Sequence, residues 1–537
     1  MSQDSPVLIV GAGLTGLTAA LELARLGVRV RIVDRRPGVT AVPGALIMHA
    51  RTLDLLDQRG ISAEALGARP ATEVAVYGHG RPLGTAAFTG CHGARSIMLA
   101  RRATVERVLR EELSGAGVEV EYAAEMIAFR PTGPDADGSG SVRAVLRHSN
   151  GRFEELAAEY IVAADGRESL ARTVLGLPPQ GGCAGPGCLL ADLLVAGGPP
   201  DDKISVFLGR RGFLMLLPTG GSHFWCVATD PQPRSRDWQA PELAVQQIFD
   251  ACSPPGRLTG LRWRTRIPGV RSVEPVLQRG RVFFGGDSAY AFWPALGHGM
   301  NSGIQDMINL SWKLAMVLHG TAAPDLLATY APERLQAINE GIHRAGHAAD
   351  LLGSPGVIRH HLVTRLAPTF IDARFIPRLC ADLTEEVVSG YRASPLSAQP
   401  RGLGSLQPGL SLPDIPVLAS VFGGQPRQVQ LRELVMPSRL TLLCAAETLG
   451  APQGCLVKQI APWQAALRAY QIAPLPGQVE AQLAFRSCFG SGPSLVLVRP
   501  DFCVGFAARQ QAAEHMFSWL SRWFPVWPGT TCRASGF

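Results

Sequence analysis

Lysine is almost absent from this chain of 537 residues and occurs only as Lys203, Lys313 and Lys458. The other 48 basic side chains are arginines, which are spread along the sequence without forming a basic tract. Nucleic-acid-binding proteins concentrate their cations in one segment or on one face, so a dispersed net charge of +7 is weak evidence for that function. We therefore expect no DNA or RNA partner.

Redox pairs, export signals and long apolar runs are also missing. The eleven cysteines include no CxxC pair, and no Lys or Arg precedes the apolar N-terminal segment as it would in a secretory signal. No run reaches the roughly 18 apolar residues of a membrane span. Reduced thiols in a cytoplasmic protein without a membrane contact are the expectation.

The overall composition is that of a globular protein. Hydrophobic residues make up 46% and charged residues 18% of the chain, which excludes extensive disorder. The 59 glycines and 41 prolines follow no Gly-X-Y period, so they indicate turns rather than collagen. At about 150 residues per domain, two to four domains are expected.

The N-terminal segment has the pattern of a strand, a helix and a second strand. Residues 7–10 are an apolar, β-branched run that predicts a buried parallel strand. Residues 14–26 have apolar side chains at helical spacing, and residues 28–34 alternate like a strand. This order is typical of an α/β fold of the Rossmann type.

The turn after the first strand reads Gly11-x-Gly13-x-x-Gly16, and Asp34 ends the second strand. Gly11 permits a tight turn, Gly13 lets the backbone approach a pyrophosphate, and Gly16 allows close packing of helix and strand. The helix N-terminus attracts phosphates, and Asp34 can accept a hydrogen bond from a ribose hydroxyl. The pattern predicts a dinucleotide site and leaves FAD and NAD as alternatives.

Two further acidic motifs follow predicted strands. One apolar strand ends at Asp165-Gly166, and another ends at Asp287. Ligands of α/β sheets bind at the carboxyl ends of the strands, so both acids are placed for binding. Residues 297–303 (GHGMNSG) then begin a long amphipathic helix, where bare backbone can face an electron-rich ring edge.

Together the motifs resemble those of the class A flavoprotein monooxygenases, the single-component FAD-dependent aromatic hydroxylases of the para-hydroxybenzoate and phenol hydroxylase type. Residues 306–314 and 330–334 also match that family's D-x-x-N-L-x-W-K-L and Y-x-x-E-R patterns. The resemblance implies an α/β protein. Its expected parts are a Rossmann-type FAD-binding domain, an interleaved β-sheet substrate domain and a C-terminal thioredoxin-like domain.

The resemblance also implies a set of FAD-binding residues. Asp34 would hold the adenosine ribose and Asp287 the ribityl and pyrophosphate region. Pro294 and the backbone after Gly297 would border the isoalloxazine ring, and the motif at Asp165 would serve FAD and transient NAD(P)H binding. The implied cofactor residues are Gly11, Gly13, Leu14, Thr15, Gly16, Asp34, Arg35, Arg51, Arg102, Asp165, Gly286, Asp287, Pro294, Gly297, Gly299, Met300 and Asn301.

Several positions beside the implied flavin site depart from the family pattern, and two of them carry side chains that can exchange a proton. Tyr290 stands where the family has His in G-D-A-A-H, and His298 stands where it has Gln in P-x-G-G-Q-G. A base near a phenolic substrate would assist loss of its proton. Tyr290, His298 and His223 are the candidates for this catalytic role, and for each of them a structural role is an equal alternative. No metal site is expected.

The middle of the chain predicts a sheet. Residues 207–230 indicate two strands joined by a Pro-Thr-Gly-Gly turn, with alternate apolar side chains on one face. Packing within its own domain explains this pattern, whereas the family position implies an apolar wall that holds an aromatic substrate over the flavin. The implied substrate pocket consists of Phe213, Met215, Leu217, Trp225 and Pro294.

The C-terminal part begins after a segment rich in Pro, Gly and Ser. Residues 496–501 match the V-L-V-R-P-D stretch of a thioredoxin-like domain in larger family members, but Cys444 and Cys455 are too far apart for a redox pair. A scaffold or a homodimer contact is therefore expected. The expected divisions are 1–180 and 276–393 for the FAD-binding domain, 181–275 for the substrate-binding sheet, 394–416 for the linker and 417–537 for the thioredoxin-like domain.

The function implied by the resemblance is aromatic hydroxylation. NADPH or NADH would reduce FAD, O₂ would add at flavin C4a, and the hydroperoxide would hydroxylate a phenolic or polyketide-type ring. Two alternatives remain open. One is Baeyer–Villiger oxidation or epoxidation by the same cofactor, and the other is a flavin-binding reductase or partner that does not oxygenate. The fold supports all of these, and no residue separates them.

Overall fold

The apolar run Val7–Val10 is a buried central strand, as its composition predicts. In this computed structural model it pairs in parallel with Val30–Asp34 on one side and with Tyr160–Ala163 on the other. β-Branched side chains suit a strand that is covered on both faces.

The structure describes residues 7–39, 44–78, 80–88, 97–131, 140–178, 182–183, 187–209, 212–229, 241–267, 270–271, 275–292, 297–353, 390–397, 403–422, 424–450 and 454–526.

The chain divides into two units. The first comprises Met1–Ala24, Arg29–Met307 and Ile338–Val387, and the second comprises Arg25–Val28, Ile308–Ala337 and Val388–Phe537. The elements up to residue 353 are, in chain order, β1 (Val7–Val10), α1 (Leu14–Arg25), β2 (Val30–Asp34), β3 (Ala45–Met48), α2 (Ala50–Asp57), β4 (Arg69–Pro70), β5 (Glu73–Gly78), β6 (Arg81–Ala87), β7 (Met98–Arg101), α3 (Arg102–Gly115), β8 (Val120–Tyr122), β9 (Ala124–Pro131), β10 (Val142–His148), β11 (Phe153–Ala158), β12 (Tyr160–Ala163), α4 (Leu170–Val174), β13 (Gly182–Cys183), β14 (Cys188–Ala196), β15 (Lys203–Gly209), β16 (Gly212–Gly220), β17 (His223–Thr229), α5 (Pro241–Cys252), β18 (Arg257–Ile267), β19 (Val270–Arg271), β20 (Gln278–Arg279), β21 (Val282–Phe284), α6 (His298–Leu318) and α7 (Tyr330–Gly353).

The main sheet of the first unit has the strand order β20-β21-β12-β1-β2-β8. Its strands are parallel except for the β20–β21 pair. The three sequence motifs follow β1, β12 and β21, which are neighbours in this order. Because the carboxyl ends of parallel strands meet at the same edge of a sheet, the fold brings all three motifs to one place.

A second large sheet has the order β18-β14-β17-β16-β15-β5-β6. The hairpin predicted within residues 207–230 is present as β16 and β17. One face of the sheet packs against α5 through a core that includes Leu214, Phe224, Val245 and Phe249. Strands β5 and β6 come from a segment more than 100 residues earlier in the chain, and their membership of this sheet was not predicted.

Three smaller sheets complete the first unit. They are the antiparallel sheet β11-β10-β9, the sheet β3-β7-β4 and the two-stranded β13-β19. Arg31 of β2 forms ion pairs with Glu121 of β8 and Glu154 of β11, each at 2.7 Å. The main sheet and the β9–β11 sheet are therefore joined by partly buried charges.

The second unit contains a six-stranded sheet. Its elements after residue 390 are β22 (Pro416–Ser420), β23 (Arg427–Gln430), β24 (Leu440–Ala445), α8 (Gly454–Ile460), β25 (Leu467–Ala473), α9 (Val479–Phe489), β26 (Ser494–Val498), β27 (Val504–Arg509) and α10 (Ala513–Trp523). The strand order is β23-β22-β25-β24-β26-β27, with only β24 and β25 parallel. The run from β24 to α10 has the order β-α-β-α-β-β-α. Assignment to the thioredoxin-like class stays a prediction, as do the domain boundaries.

The segment predicted as a linker is packed in its second half. Leu403, Leu406 and Leu412 are buried, and Ser411 forms an isolated bridge with Cys503 of the second unit. These described parts of the segment pack on the second unit, and the linker assignment stays a prediction.

Buried charges lie at the centre of the second unit. Glu333 accepts hydrogen bonds from Lys313 Nζ (2.7 Å) and from two nitrogens of Arg499 (2.6 and 2.8 Å), and Arg499 also pairs with Asp501. Asn309 Nδ2 donates to Glu333 at 2.8 Å. All these side chains are at most 2% exposed. Burial lowers the pKa of Lys313 to about 8, while the two cations hold the pKa of Glu333 well below its ordinary value despite the opposing effect of burial.

Six cysteines in the described residues are buried, namely Cys188, Cys226, Cys252, Cys444, Cys488 and Cys503. Burial raises the pKa of Cys252 and of Cys444 to about 12. Within the described part of the chain, no helix combines the length and the apolarity that crossing a membrane requires.

Candidate dinucleotide-binding site

The turn after β1 contains two glycines that packing requires and one that faces open space. Gly11 has a φ of +101°, and a Cβ on it would lie 2.3 Å from the Ala164 carbonyl oxygen. A Cβ on Gly16 would lie 1.8 Å from the Gly11 carbonyl oxygen. At Gly13 an added Cβ would meet, among the described residues, only Arg102 Nη2 at 4.0 Å. Gly13 therefore leaves the backbone open at the start of α1, where a pyrophosphate binds in this kind of fold.

Thr15, in the first turn of α1, connects the first motif to the third. A Cβ on Gly286 would lie 2.5 Å from Thr15 Oγ1, and a Cβ on Gly303 would lie 2.4 Å from the same atom. The glycines of the third motif thus make room for this side chain. The neighbouring Leu14 is 4% exposed and belongs to the core, so a cofactor contact from Leu14 would have to come from its backbone.

Asp306 holds the turn of the third motif. Its Oδ2 accepts hydrogen bonds from the Gly286 amide at 3.1 Å and from the Tyr290 hydroxyl. Both Asp306 and Tyr290 are fully buried. The Tyr290 hydroxyl, a candidate base from the sequence, is therefore a donor to a buried carboxylate, which favours its structural alternative. Asp306 was recognised only as part of a helix motif, and no sequence signal tied it to Gly286.

The second motif meets the third through Ser288 and Arg172. Ser288 Oγ lies 2.6 Å from the Ala163 carbonyl oxygen and 2.9 Å from that of Gly285. Arg172 Nη1 donates to the Ser288 carbonyl oxygen at 3.3 Å. These contacts fix the carboxyl ends of β12 and β21 relative to each other.

The acids of the second and third motifs differ in exposure. Asp165 Oδ1 is buried without a hydrogen-bond partner among the described residues, and burial raises the pKa of this carboxyl group. Asp287 is 48% exposed, with Arg167 Nε 3.4 Å from its Oδ2. Asp287 is therefore accessible to a polar ligand at the sheet edge, whereas the carboxyl group of Asp165 is buried in the turn before α4.

Asn301 connects the start of α6 to β3 and α2. Its Nδ2 donates to the carbonyl oxygens of Ile47 (2.6 Å) and Gly297 (3.0 Å), and its Oδ1 accepts from the His49 amide at 3.1 Å. The Gly-rich helix start is therefore held against the segment that leads into Arg51, the second residue of α2. The sequence predicted Asn301 as a site residue but not this connecting role.

A pair of imidazoles lies beside the start of α6. The rings of His49 and His298 are buried, with centroids 5.1 Å apart and planes at 72°. Burial, together with the neighbouring His298, lowers the pKa of His49 well below its ordinary value, so His49 is neutral at pH 7. His298 thus faces a neutral imidazole. This pairing was not predicted, because the two residues are far apart along the chain.

Asp34 ends β2, as predicted, and its carboxylate accepts four hydrogen bonds. Oδ2 accepts from the Ala12 amide (2.7 Å) and Arg36 Nη2 (2.8 Å), and Oδ1 accepts from the Arg36 amide (2.8 Å) and Arg36 Nε (2.9 Å). Burial alone would raise the pKa of Asp34, but these donors lower it, so the group is ionised. Arg35 is 59% exposed and lies 3.4 Å from Glu168.

Arg102 connects the Gly13 turn to the seven-stranded sheet. Its Nε donates to Glu106 Oε1 at 2.8 Å, which orients the guanidinium beside Gly13. A Cβ on Gly44 would lie 3.6 Å from Arg102 Cβ and 3.9 Å from Trp225 Cζ2. The predicted flavin arginine and the predicted pocket tryptophan therefore pack on the same glycine.

The predicted apolar wall is one face of the seven-stranded sheet. Leu217 pairs with Trp225, and Met215 with Val227, across β16 and β17, so these side chains share a face. This face is opposite to the one that packs on α5. The indole of Trp225 also stacks on Trp263 of β18, with ring centroids 5.4 Å apart, a contact that was not predicted. The four wall residues in the described part of the chain, Phe213, Met215, Leu217 and Trp225, are all buried.

The remaining predicted residues have definite places. Gly299 and Met300 lie in the first turn of α6. His223 is the first residue of β17, where it pairs with Leu194 and Gly220 at the turn of the hairpin. Pro294 lies outside the described residues. Those residues contain no group of three or more His, Cys, Asp or Glu side chains placed to hold a metal ion.

The geometry fits a dinucleotide with a polar middle and an aromatic end. The open approach at Gly13 and the N-terminus of α1 suit a pyrophosphate. The exposed Asp287 at the neighbouring strand suits the hydroxyls of a sugar or ribityl chain, and the start of α6 offers unsatisfied backbone N–H groups.

The family model described as FAD binding domain (FAD_binding_3) matches residues 4–345, which is more than half of the chain. The chain therefore belongs to this family of FAD-binding proteins, and FAD is the cofactor. The adenine dinucleotide that remained ambiguous from the first motif alone is thus the flavin.

The relatives and solved structures that resemble this chain include oxygenases. It is 35% identical over 346 residues to 6-methylpretetramide 4-monooxygenase of Streptomyces rimosus, covering 62% of this chain and 59% of that protein. It is 31% identical over 355 residues to pentachlorophenol 4-monooxygenase of Sphingobium chlorophenolicum, covering 64% of each. The chain thus spans about three fifths of these relatives. The crystal structure of CabE, an aromatic hydroxylase from angucycline biosynthesis, aligns with a TM-score of 0.72 at 26% identity, over 97% of this chain and 99% of CabE.

Proposed function

We propose that this protein is an FAD-dependent monooxygenase that uses NADPH or NADH and O₂ to hydroxylate an aromatic substrate. The observation that carries the proposal is the packing of Arg102, beside the open Gly13 turn, and of Trp225, on the apolar sheet face, against the same Gly44. This arrangement supports a flavin site next to an apolar wall. The monooxygenase names of the relatives support this reading.

Each part of the site would have its own role in binding the cofactor or the substrate. The Gly13 turn binds the pyrophosphate, Asp287 holds the ribityl region, and the backbone from Gly297 to Asn301 borders the ring. When bound, FAD supplies the electron transfer and the activation of oxygen. The apolar wall positions the aromatic ring of the substrate and excludes water from it.

His298 is the proposed proton acceptor for a phenolic substrate. A neutral imidazole can accept a proton from a phenol, and the ring of His298 lies beside the buried, neutral imidazole of His49. Tyr290 is a weaker candidate because its hydroxyl donates to Asp306. His223 lies at the hairpin turn, and its role stays a prediction.

The decisive experiment is NADPH and NADH oxidation by the purified protein, with hydrogen peroxide measured, against a panel of phenols, naphthols and anthraquinones. Oxidation that rises sharply with one ring and releases little peroxide is expected. Stimulation that yields only peroxide, or no stimulation by any ring, would contradict aromatic hydroxylation. Those outcomes would favour a ketone or alkene substrate or a protein that does not oxygenate.

The flavin site itself is tested by Gly13→Ala. Among the described residues, a Cβ there meets nothing nearer than 4.0 Å, so the variant is expected to fold, but the methyl group occupies the approach of the pyrophosphate. We expect a purified protein with little flavin absorbance and FAD affinity lowered by about tenfold or more. Gly115→Ala, at a helical glycine with open space around it, is the matched control and should remain yellow. A fully yellow Gly13→Ala protein would remove Gly13 from the site.

A further inference from the structure

The Asp34 carboxylate has no acceptor capacity left for a ligand. An ionised carboxylate has about four lone-pair positions. The Ala12 amide takes one of them, and the amide, Nε and Nη2 of Arg36 take the other three, all at 2.7–2.9 Å. Asp34 is also buried, with 6% of its surface exposed. A ribose hydroxyl that donates to this carboxylate must therefore replace an existing donor.

The two side-chain donors of Arg36 are the ones that can be replaced. The amides of Ala12 and Arg36 belong to the turn after β1 and to the end of β2, so moving them would alter the fold. The Arg36 guanidinium can rotate away with its side chain, which is 29% exposed. Its Nη2 also donates to the Ala12 carbonyl oxygen at 3.1 Å, so it covers both the acid and the glycine-rich turn.

We propose that Arg36 sets the affinity for FAD by competing with the adenosine ribose for the Asp34 carboxylate. The inference goes beyond the oxygenase function, since it concerns how tightly the cofactor is held and not what the cofactor does. If the proposed hydroxylation activity were disproved, this inference would still stand, because its test measures FAD binding. To bind Asp34, the ribose diol has to replace two charge-assisted hydrogen bonds from Arg36, and not two hydrogen bonds from water. This exchange lowers the free energy gained when FAD binds.

The first test is FAD titration of the full-length apoprotein, followed by flavin fluorescence, for the native chain and Arg36→Ala. The variant is expected to bind FAD about three- to tenfold more tightly, because the ribose no longer displaces the guanidinium. Arg29→Ala is the matched control: it removes the same charge from an exposed arginine just before the amino end of β2, and it should leave the dissociation constant unchanged.

Fragments of the cofactor locate the effect. ADP contains the adenosine ribose and the pyrophosphate, so Arg36→Ala should tighten ADP binding by the same factor as FAD binding. FMN lacks the adenosine, and its affinity should not change. With 2′,3′-dideoxy-ADP, which has no ribose hydroxyls to donate, the gain should disappear.

Unchanged or weaker FAD binding by Arg36→Ala would overturn the proposal. Weaker binding would mean that Arg36 itself holds the cofactor, and unchanged binding would mean that the ribose does not use Asp34. If the alanine variant fails to fold, Arg36→Lys retains the backbone bond and the charge but removes the forked side-chain contact. It is expected to bind FAD more tightly than the native chain, and by a smaller factor.

Discussion

Single residues of the first motif behave as their chemistry predicts, because their roles are local. The positive φ of Gly11 and the contact of Gly16 with the backbone before it follow from a strand that turns directly into a helix. The bonding of Asp34 was not predictable in the same way. Its competitor Arg36 is only two residues away, but sequence does not show whether a nearby arginine folds back onto an acid or extends into solvent.

Tyr290 provides a test at this scale of whether a buried hydroxyl is structural or catalytic. In Tyr290→Phe the ring remains and Asp306 loses one donor, so the free energy of unfolding should fall by about 1–3 kcal/mol. The pH profile of substrate-stimulated NAD(P)H oxidation should keep its shape, because the hydroxyl donates to Asp306 rather than to substrate. Urea unfolding and the pH profile are the measurements. Tyr77→Phe, at a ring that stacks on Phe207, is the control. A pH profile that loses its acidic limb, on which the rate rises as a general base loses its proton, would identify Tyr290 as the base.

At the scale of elements, the hairpin β16–β17 was predicted because alternation and a Gly-containing turn mark it within one short segment. The sheet it belongs to was not, because β5 and β6 join from a distant part of the chain and local patterns do not specify which strands pair. The same limit applies to α6. Its start was recognised from glycines, but its attachment to Ile47 and His49 through Asn301 depends on a long-range contact.

The charges between the main sheet and the β9–β11 sheet make stability depend on pH. Hydrogen bonding to Arg31, with help from His148 and against the effect of burial, lowers the pKa of Glu154 from 4.5 to about 2. The folded pKa lies below the unfolded one, so the ionised carboxylate stabilises the fold above about pH 4.5. This contribution is lost as the pH falls toward 2.

Glu154→Gln should therefore lower the free energy of unfolding by about 1–2 kcal/mol at pH 7, a figure that allows for solvent screening. The difference from the native chain should narrow as the pH falls from about 4.5 toward 2, because the Glu154 carboxylate is protonated first in the unfolded chain and then in the folded one. Urea unfolding at a series of pH values measures it. Glu155→Gln, whose exposed carboxylate is 3.7 Å from Arg130, should show no such dependence. A constant difference at all pH values would mean that the effect of Gln is not electrostatic.

At the scale of the whole molecule, three motifs recognised separately in the sequence form one cluster in the second unit. Lys313 belongs to the D-x-x-N-L-x-W-K-L segment, Glu333 to Y-x-x-E-R, and Arg499 and Asp501 to V-L-V-R-P-D. Each of these motifs was recognised from its sequence pattern alone. The sequence does not show that the motifs share one set of buried hydrogen bonds, because a chain of this length offers many possible partners for a buried charge.

Glu333→Gln tests the importance of this cluster. The substitution leaves Lys313 and Arg499 buried without their shared anion, so a loss of about 3–5 kcal/mol in the stability of the second unit is expected. The midpoint of tryptophan fluorescence in urea reports it, since Trp312 lies beside Arg499. Glu447→Gln removes an acid from an exposed pair with Arg486 and should have little effect. Equal midpoints for the two variants would show that the cluster contributes little to stability.

The buried thiols have a consequence for the proposed oxygenase activity. A flavin oxygenase that fails to transfer its oxygen releases hydrogen peroxide, and peroxide attacks cysteine as the thiolate. With a pKa of about 12, Cys252 and Cys444 are almost entirely protonated at neutral pH, and both are shielded from solvent. Cys252 and Cys444 are therefore poor targets for sulfenic acid formation, and the proposed oxygenase would tolerate failed turnovers without damage at these two sites.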